Sequence, residues 1–241
     1  MSDEAPSTGH RRDELARRLR AVQQRIRAAA AAADRDPADV TLVVVTKTWP
    51  ASDIRALLEL GIRDVGENRQ QELDAKAREL DDADLRWHFV GQIQSNKAPR
   101  VAEVADVVHS VGSVRVAQRL NAGAARRERS VRCFLQVSLD VTRSGEGRGG
   151  LDPDEIDEVA RGVETCAALE LVGVMAVAPL GVDPASAYMS LRETSQRLQR
   201  SHPHATAISA GMSADFETAI VAGATHVRVG SAVLGRRPKL G

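Results

Sequence analysis

Eight short apolar segments alternate with helical stretches along the chain, and this alternation constrains the fold more than any other feature. The first, at 41–46, is a continuous apolar run of the kind expected for a parallel strand buried on both faces. The other strand candidates lie at 63–65, 86–90, 106–109, 132–137, 171–174, 206–208 and 226–229. Helical patterns separate them at 51–60, 69–80, 95–104, 113–128, 152–165, 185–200 and 214–222. The count predicts a single-domain α/β fold, a (β/α)8 TIM barrel with an additional N-terminal helix; a doubly wound open sheet is the alternative.

Composition limits the partners and the location. The 241 residues carry 33 basic and 33 acidic side chains, and a net charge of zero argues against nucleic acid as the main partner. No apolar run reaches the roughly 18 residues of a membrane span, and no signal peptide is recognisable. Cys133 and Cys166 lack a CxxC spacing and are interpreted as core residues. We expect a cytoplasmic protein with no membrane partner, residues 1–9 forming a disordered tail and 10–241 the barrel domain.

An arginine-rich helix is predicted over about 11–33. Its apolar residues Leu15, Leu19, Val22 and Ile26 recur at helical spacing, and arginines occupy the other faces. This arginine density is compatible with a nucleic-acid helix, but the neutral total favours a solvated face with acidic neighbours elsewhere in the fold.

A glycine-rich stretch interrupts the pattern at 142–150. Glycine-rich loops can bind phosphate through backbone N–H groups, but this one matches neither the GxGxxG nor the GxxxxGK[ST] template. A mobile loop at the barrel mouth is the preferred interpretation.

A lysine follows the first strand directly. In a barrel of this type the side chains at the C-terminal ends of the strands form the active site, so Lys47 is expected there. Partial burial lowers the pKa of a lysine and favours the free amine that forms a Schiff base. The alternative is a lysine whose amine simply reaches solvent at the rim.

Small residues follow the last two strands, where barrels often bind phosphate. Gly211 and Ser213 come after the seventh strand candidate, and Gly230 and Ser231 after the eighth. Ser213 is alternatively a helix N-cap, which is compatible with phosphate binding nearby. A lysine on the first strand and a phosphate site at the last two suit pyridoxal 5′-phosphate (PLP), whose aldehyde and phosphate could be held across one mouth.

Five motifs, in order along the chain, resemble those of the pyridoxal phosphate homeostasis family. They are Val45-Thr46-Lys47, Gly66-Glu67-Asn68-Arg69-Gln70-Gln71-Glu72, Trp87-His88-Phe89-Val90-Gly91-Gln92-Ile93-Gln94-Ser95-Asn96-Lys97, Ser209-Ala210-Gly211-Met212-Ser213-Ala214-Asp215, and Arg228-Val229-Gly230-Ser231 with Gly235-Arg236-Arg237. The resemblance extends from about residue 10 to residue 237. Two departures from the family pattern are Gln92, where histidine is common, and the region 138–150.

The resemblance implies a barrel like the N-terminal domain of alanine racemase, with PLP held as a Schiff base on Lys47. It further implies that Arg228 faces the pyridine nitrogen and that Asn68 lies near the cofactor. The residues implied to surround the phosphate are Ser209, Met212, Ser213, Gly230 and Ser231.

Two functions are compatible with these features. The first is a non-catalytic protein that buffers or delivers PLP in the cell, with PLP-dependent apoenzymes as candidate recipients, acting as a monomer or weak homodimer. The alternative is an amino-acid racemase, which needs an acid or base on each face of the cofactor and, in alanine racemases, takes one tyrosine from a second domain. The sole tyrosine, Tyr188, is expected to pack in or face solvent from a surface helix, and the chain is expected to hold one barrel only. These points favour the carrier.

The histidines suggest no metal site. His202 and His204 lack a carboxylate or cysteine at ligand spacing and predict a surface turn. His88 and His109 fall at strand ends, where they either line the mouth or serve as hydrogen-bonded structural histidines.

Overall fold

Eight parallel strands close into a barrel in sequence order, as the computed structural model shows for residues 8–139 and 149–235. The strands are β1 (Thr41–Val45), β2 (Asp64–Glu67), β3 (Arg86–Phe89), β4 (Val107–Val111), β5 (Val131–Gln136), β6 (Leu169–Met175), β7 (Ala207–Ser209) and β8 (His226–Val229). β1 pairs with both β2 and β8, which closes the sheet. The predicted barrel is confirmed, and the doubly wound open sheet is excluded.

Nine α-helices lie in the described ranges. They are α1 (Thr8–Ala32), α2 (Ala51–Glu59), α3 (Gln70–Glu79), α4 (Ala98–Ala102), α5 (Val114–Ala125), α6 (Ile156–Glu164), α7 (Pro184–Ser201), α8 (Phe216–Val221) and α9 (Ser231–Leu234). A 3-10 turn at Pro37–Asp39 joins α1 to β1. The additional N-terminal helix is confirmed, and it begins at Thr8, inside the segment expected to be a tail. Of the glycine-rich stretch, only Gly149 and Gly150 fall within the described residues.

The main hydrophobic core lies between the barrel and the surrounding helices. Strand residues that point outward, such as Val44, Val65 and Leu135, pack there against helix residues such as Leu57 and Leu120. Because side chains alternate along a strand, the remaining strand residues point into the barrel. Burial of this shell stabilises the closed sheet, at roughly 25 cal/mol for each Å² of apolar surface removed from water.

The inside of the barrel is partly polar. A small apolar cluster of Val107, Phe134, Val172 and Met175 fills one part of it. The rest contains side chains that rarely occur in a barrel core, which is usually built from Val, Ile and Leu. These buried polar residues are His88, His109, Ser209, His226 and Arg228.

The two cysteines are both free and buried, which confirms their assignment to the core. None of the helices in the described ranges is both long and apolar enough to cross a membrane.

Candidate functional site

A cavity of about 470 Å³ opens at the C-terminal ends of the barrel strands. Seven of the eight residues singled out from the sequence line it: Lys47, Asn68, Met212, Ser213, Arg228, Gly230 and Ser231. Val45, Trp49, Val90 and Val177 are apolar members of its lining. The cavity therefore combines an amine, a guanidinium and a group of small residues in one apolar pocket, as ligand sites commonly do.

Lys47 lies in a strained turn that follows β1. The next residue, Thr48, has a φ of +68°, a left-handed conformation that is unfavourable for a β-branched residue. Its backbone N–H donates a hydrogen bond of 2.8 Å to the carboxylate of Glu72. Such strain persists only where the surroundings hold it, and it is often found at functional sites. The turn keeps the half-buried Lys47 side chain at the cavity.

A second lysine supports this turn from the helix side of the sheet. Nζ of Lys76 lies 2.8 Å from the carbonyl oxygen of Thr46 and 2.6 Å from Oε1 of Glu67, and Thr46 also donates to Oε1. Burial raises the pKa of Glu67, while the ammonium of Lys76 acts in the opposite direction. Oε2 of Glu67 has no hydrogen-bond partner within the described residues.

Lys76 was missed by the sequence analysis. It lies three residues after the buried Leu73, on the face of α3 that packs against the barrel, which is an unusual position for a lysine. That position on an apolar face was the available signal.

Arg228 is buried at the base of the cavity. Its guanidinium donates hydrogen bonds of 2.6 Å to Oγ of Ser209 and 2.9 Å to the carbonyl oxygen of Ala176. Burial lowers its pKa to about 10, so the group remains a cation at neutral pH. The resemblance implied that Ser209, the eighth of the singled-out residues, surrounds the phosphate. It does not line the cavity and lies fully buried beneath this guanidinium.

Two loops meet at the other end of the cavity. Gly211 has a φ of +88°, and a Cβ there would lie 2.7 Å from Cα of Phe216, so the loop after β7 requires glycine. Oγ of Ser213 accepts a hydrogen bond of 3.2 Å from the backbone N–H of Ala232 in α9. The interpretation of Ser213 as a helix N-cap is wrong, because Asp215 is the N-cap of α8 and Gly230 that of α9. Its hydroxyl instead contacts the first turn of α9 from a separate loop.

Asn68 is held in place by a close backbone approach. A Cβ at Gly91 would lie 2.0 Å from the carbonyl oxygen of Asn68, which leaves room only for glycine. Oγ of Ser110 donates to the carbonyl oxygen of Gly91 at 2.5 Å and fixes this segment.

Tyr188 packs in the interior, which agrees with one of its two expected positions, but it is not remote from the cavity. It is 2% exposed, and its hydroxyl donates a hydrogen bond of 2.8 Å to Oδ2 of Asp215. Oδ1 of Asp215 accepts from the backbone N–H of Met212 at 2.6 Å. The tyrosine therefore stabilises the loop that carries Met212 and Ser213.

Replacing Tyr188 with phenylalanine is expected to loosen this loop. Loss of a hydrogen bond to a carboxylate lowers the free energy of unfolding by about 1.5–3 kcal/mol. Amide hydrogen exchange at Met212 should accelerate together with this loss. The exposed residue Ser190, on the same helix, provides the control, since Ser190→Ala removes a hydroxyl that points away from the core. Unchanged exchange at Met212 in Tyr188→Phe would show that Asp215 holds the loop unaided.

The arginine-rich helix α1 packs against α2, α8 and α9. Arg11 forms an ion pair with Asp53, donates to the carbonyl oxygen of Leu234, and lies 4.6 Å from the ring centroid of Trp49. Other arginines of the helix pair with acidic residues, namely Arg12 with Glu59, Arg18 with Glu14 and Arg25 with Glu217. These pairs support the interpretation of a charged face with acidic neighbours over that of a nucleic-acid helix.

The remaining histidines lie outside the cavity. His88 and His109 are buried inside the barrel, which supports their structural interpretation. The prediction of a surface turn is wrong for His202, which is buried at the end of α7 with its Nδ1 2.7 Å from the carboxylate of Glu164 in α6, and right for the exposed His204. Within the described residues no group of three His, Cys, Asp or Glu side chains is placed to hold a metal ion.

The chain is similar over nearly its full length to pyridoxal phosphate homeostasis proteins. Residues 18–238 match the family model described as "Alanine racemase, N-terminal domain". The pyridoxal phosphate homeostasis protein of Mycobacterium leprae is 39% identical over 98% of this chain and 97% of its own. That of Escherichia coli K12 is 36% identical over 93% of this chain and 97% of its own.

Solved structures show the same fold. PipY of Synechococcus elongatus PCC7942, solved with PLP bound, is 33% identical, has a TM-score of 0.78 and is covered completely, over 92% of this chain. The alanine racemase of Clostridium difficile 630 has a TM-score of 0.69 at 16% identity, with 95% of this chain matching 58% of that one. The racemase therefore shares the barrel architecture alone.

Proposed function

The chain belongs to the family of pyridoxal phosphate homeostasis proteins, and from that premise we propose that it binds PLP at Lys47 and buffers or delivers it in the cell. The observation that carries the proposal is that one cavity is lined by all four of the residues Lys47, Arg228, Ser213 and Ser231. PLP-dependent apoenzymes are the proposed recipients.

The residues present fit this cofactor. PLP has an aldehyde, an aromatic ring with one nitrogen, and a phosphate, and each needs a different environment. The cavity offers an amine at Lys47, a buried cation at Arg228, and small hydroxyl and glycine residues at the loops after β7 and β8. Apolar side chains between these groups, Val45 and Val90 among them, suit the ring.

Each residue has a proposed role. The cofactor would supply an aldehyde, with which the amine of Lys47 would condense with loss of one water. Ser213 and Ser231 would donate hydroxyl hydrogen bonds to phosphate oxygens beside Met212 and Gly230, at the beginning of α9.

The position of Arg228 disfavours catalysis of amino-acid conversion. A guanidinium can donate but not accept a hydrogen bond. A ring nitrogen that faces it therefore accepts a hydrogen bond through its lone pair and stays unprotonated. An unprotonated ring withdraws electrons poorly, which disfavours the carbanion chemistry of amino-acid conversion. The only tyrosine of the sequence, Tyr188, does not line the cavity and already donates its hydroxyl proton to Asp215. These features support a carrier over a racemase.

An assay for racemase activity tests the proposal. The protein, loaded with PLP, is incubated with L-alanine or L-serine and the products are separated by chiral chromatography. We expect no conversion above that of free PLP with bovine albumin, because among the described residues no second acid or base that could serve the opposite face lines the cavity. Turnover at enzymatic rates, of the order of 1 per second or faster, would establish the racemase instead.

A further inference from the structure

Five side chains form one continuous hydrogen-bonded chain through the inside of the barrel. Nε2 of His88 lies 2.9 Å from Oδ1 of Asp64, and its Nδ1 lies 2.8 Å from Nε2 of His109. Nδ1 of His109 lies 2.8 Å from Oγ of Ser209, which accepts from Arg228. We name Asp64, His88, His109, Ser209 and Arg228 the interior chain. It joins the guanidinium of the cavity to a carboxylate at the opposite, N-terminal ends of the strands.

The carboxylate of Asp64 and the neutral state of the two histidines determine the direction of every hydrogen bond. Asp64 can only accept, so His88 donates to it from Nε2. Burial lowers the pKa of His88 and favours the neutral ring, whose Nδ1 then accepts from Nε2 of His109. Nδ1 of the neutral His109 likewise accepts from the hydroxyl of Ser209, whose oxygen accepts from Arg228. Both histidines are then the Nε2–H tautomer.

The ionisation of the members agrees with this direction. Burial lowers the pKa of His88, and it lowers that of His109 well below the ordinary value. Burial acts to raise the pKa of Asp64, but the hydrogen bond from His88 and the charge of Arg86 outweigh it, so the carboxylate stays ionised. Arg228 remains protonated at neutral pH.

The neighbouring groups leave this arrangement in place. Nη1 of Arg86 also donates to Oδ1 of Asp64, at 2.8 Å, but a carboxylate oxygen can accept two hydrogen bonds. The ring of His226 lies 6.5 Å from that of His88 and 6.2 Å from that of His109, and its Nδ1 contacts the hydroxyl of Thr225 instead. Phe134 stacks on His109 at 4.6 Å and fixes the ring plane. The positive charges of Arg86 and Arg132 lower the pKa of His88 further and so favour its neutral form.

We propose that the interior chain orients Arg228 for its contact with the bound cofactor, and that His109, His88 and Asp64 are positioning residues which act through Ser209. The proposal rests on the proposed function for the identity of the ligand. The direction of the hydrogen bonds belongs to the protein itself. Because the hydroxyl proton of Ser209 points to His109, a lone pair of its oxygen faces Arg228. The hydrogen bond to this lone pair holds the guanidinium in one orientation. A residue at the far end of the barrel thereby contributes to the site.

Histidine NMR tests the direction directly on the full chain, with or without cofactor. Nitrogen-15 and carbon-13 shifts of labelled histidine distinguish the two neutral tautomers and the cation. Resonances are assigned by the single substitutions His88→Gln and His109→Gln. We expect both histidines as neutral Nε2–H tautomers at pH 7. An Nδ1–H tautomer or a cation at either position would overturn the proposal.

Two substitutions at one position test the effect on the site. A glutamine at 109 can accept from Ser209 through its carbonyl oxygen and donate to His88 through its amide, whereas a leucine can do neither. We expect cofactor affinity, measured by equilibrium dialysis, to fall about tenfold in His109→Leu, the effect of one buried hydrogen bond. It should stay within about twofold of the parent in His109→Gln. Equal affinity in all three proteins, or equal loss in both variants, would refute the positioning role.

A substitution at the barrel edge covers the case in which His109→Leu does not fold. Asp64 is partly exposed, so Asp64→Ala removes the final acceptor without opening the core. We expect His109 to become a mixture of tautomers in this variant, although it lies far from the substitution. An unchanged single tautomer would contradict the coupling. If the parent protein bound no PLP, the proposed function would fail while both NMR results would still decide the direction of the chain.

Discussion

Replacing Lys47 with alanine is expected to abolish the visible absorption band of the PLP-loaded protein. Conjugation between the cofactor and a protein amine produces that band, and Lys47 is the lysine that lines the cavity among the described residues. The loss should be complete, because Lys76 is turned to the outer face of the sheet and donates to Thr46 and Glu67. Absorption spectra before and after dialysis measure it.

Lys97 provides the matched control. It is exposed and does not line the cavity, so Lys97→Ala should retain the full band and the same melting temperature. A band of equal strength in Lys47→Ala would assign the covalent bond to another lysine. Mass spectrometry of the reduced adduct would then identify that residue.

The stability of the cofactor-free protein is expected to fall steeply between pH 7.5 and pH 5.5. His88, His109 and His226 are buried, and burial lowers the pKa of each below 6.5, in His226 to about 3. The unfolded chain therefore binds more protons than the folded one below pH 6.5. The contribution of these groups is fully present above that pH and is lost as the pH falls toward their folded pKa values.

The size of the effect follows from proton linkage. Each histidine that stays neutral in the folded state costs about 1.4 kcal/mol of stability per pH unit below 6.5, so three lower it by up to about 4 kcal/mol at pH 5.5. Urea unfolding at a series of pH values measures the slope. His226→Gln should reduce that slope by about one third, whatever its effect on stability at pH 7.5. A parent slope near zero would mean that the barrel admits protonated histidine.

The barrel was predictable because its signal is local. The continuous apolar run at 41–46 and its seven successors mark strands buried on both faces, and regular helices between them require parallel pairing. Boundaries were less certain, since α4 (Ala98–Ala102) is shorter than the predicted 95–104. Helix ends depend on capping and packing, which periodicity does not report.

Most of the candidate site was also predictable. In a barrel the residues that follow the strands must meet at one face, so Lys47 and Ser231 are brought together by topology alone. Tyr188 was only partly understood, because its helix position was readable but its hydrogen bond to Asp215 was not. Lys76 was missed because only its partners explain a lysine on an apolar helix face, and the sequence does not show which residues it contacts.

By itself, the sequence determined the eightfold alternation, the motifs of the family and the residues at the ends of the strands. Only the tertiary structure decided what fills the barrel, where His109 meets Ser209 across 100 residues of chain. The reason is physical: periodicity reports which side of a strand is buried, but not which buried side chains face each other. A polar group inside a barrel must find a partner there, and closure of the sheet selects that partner.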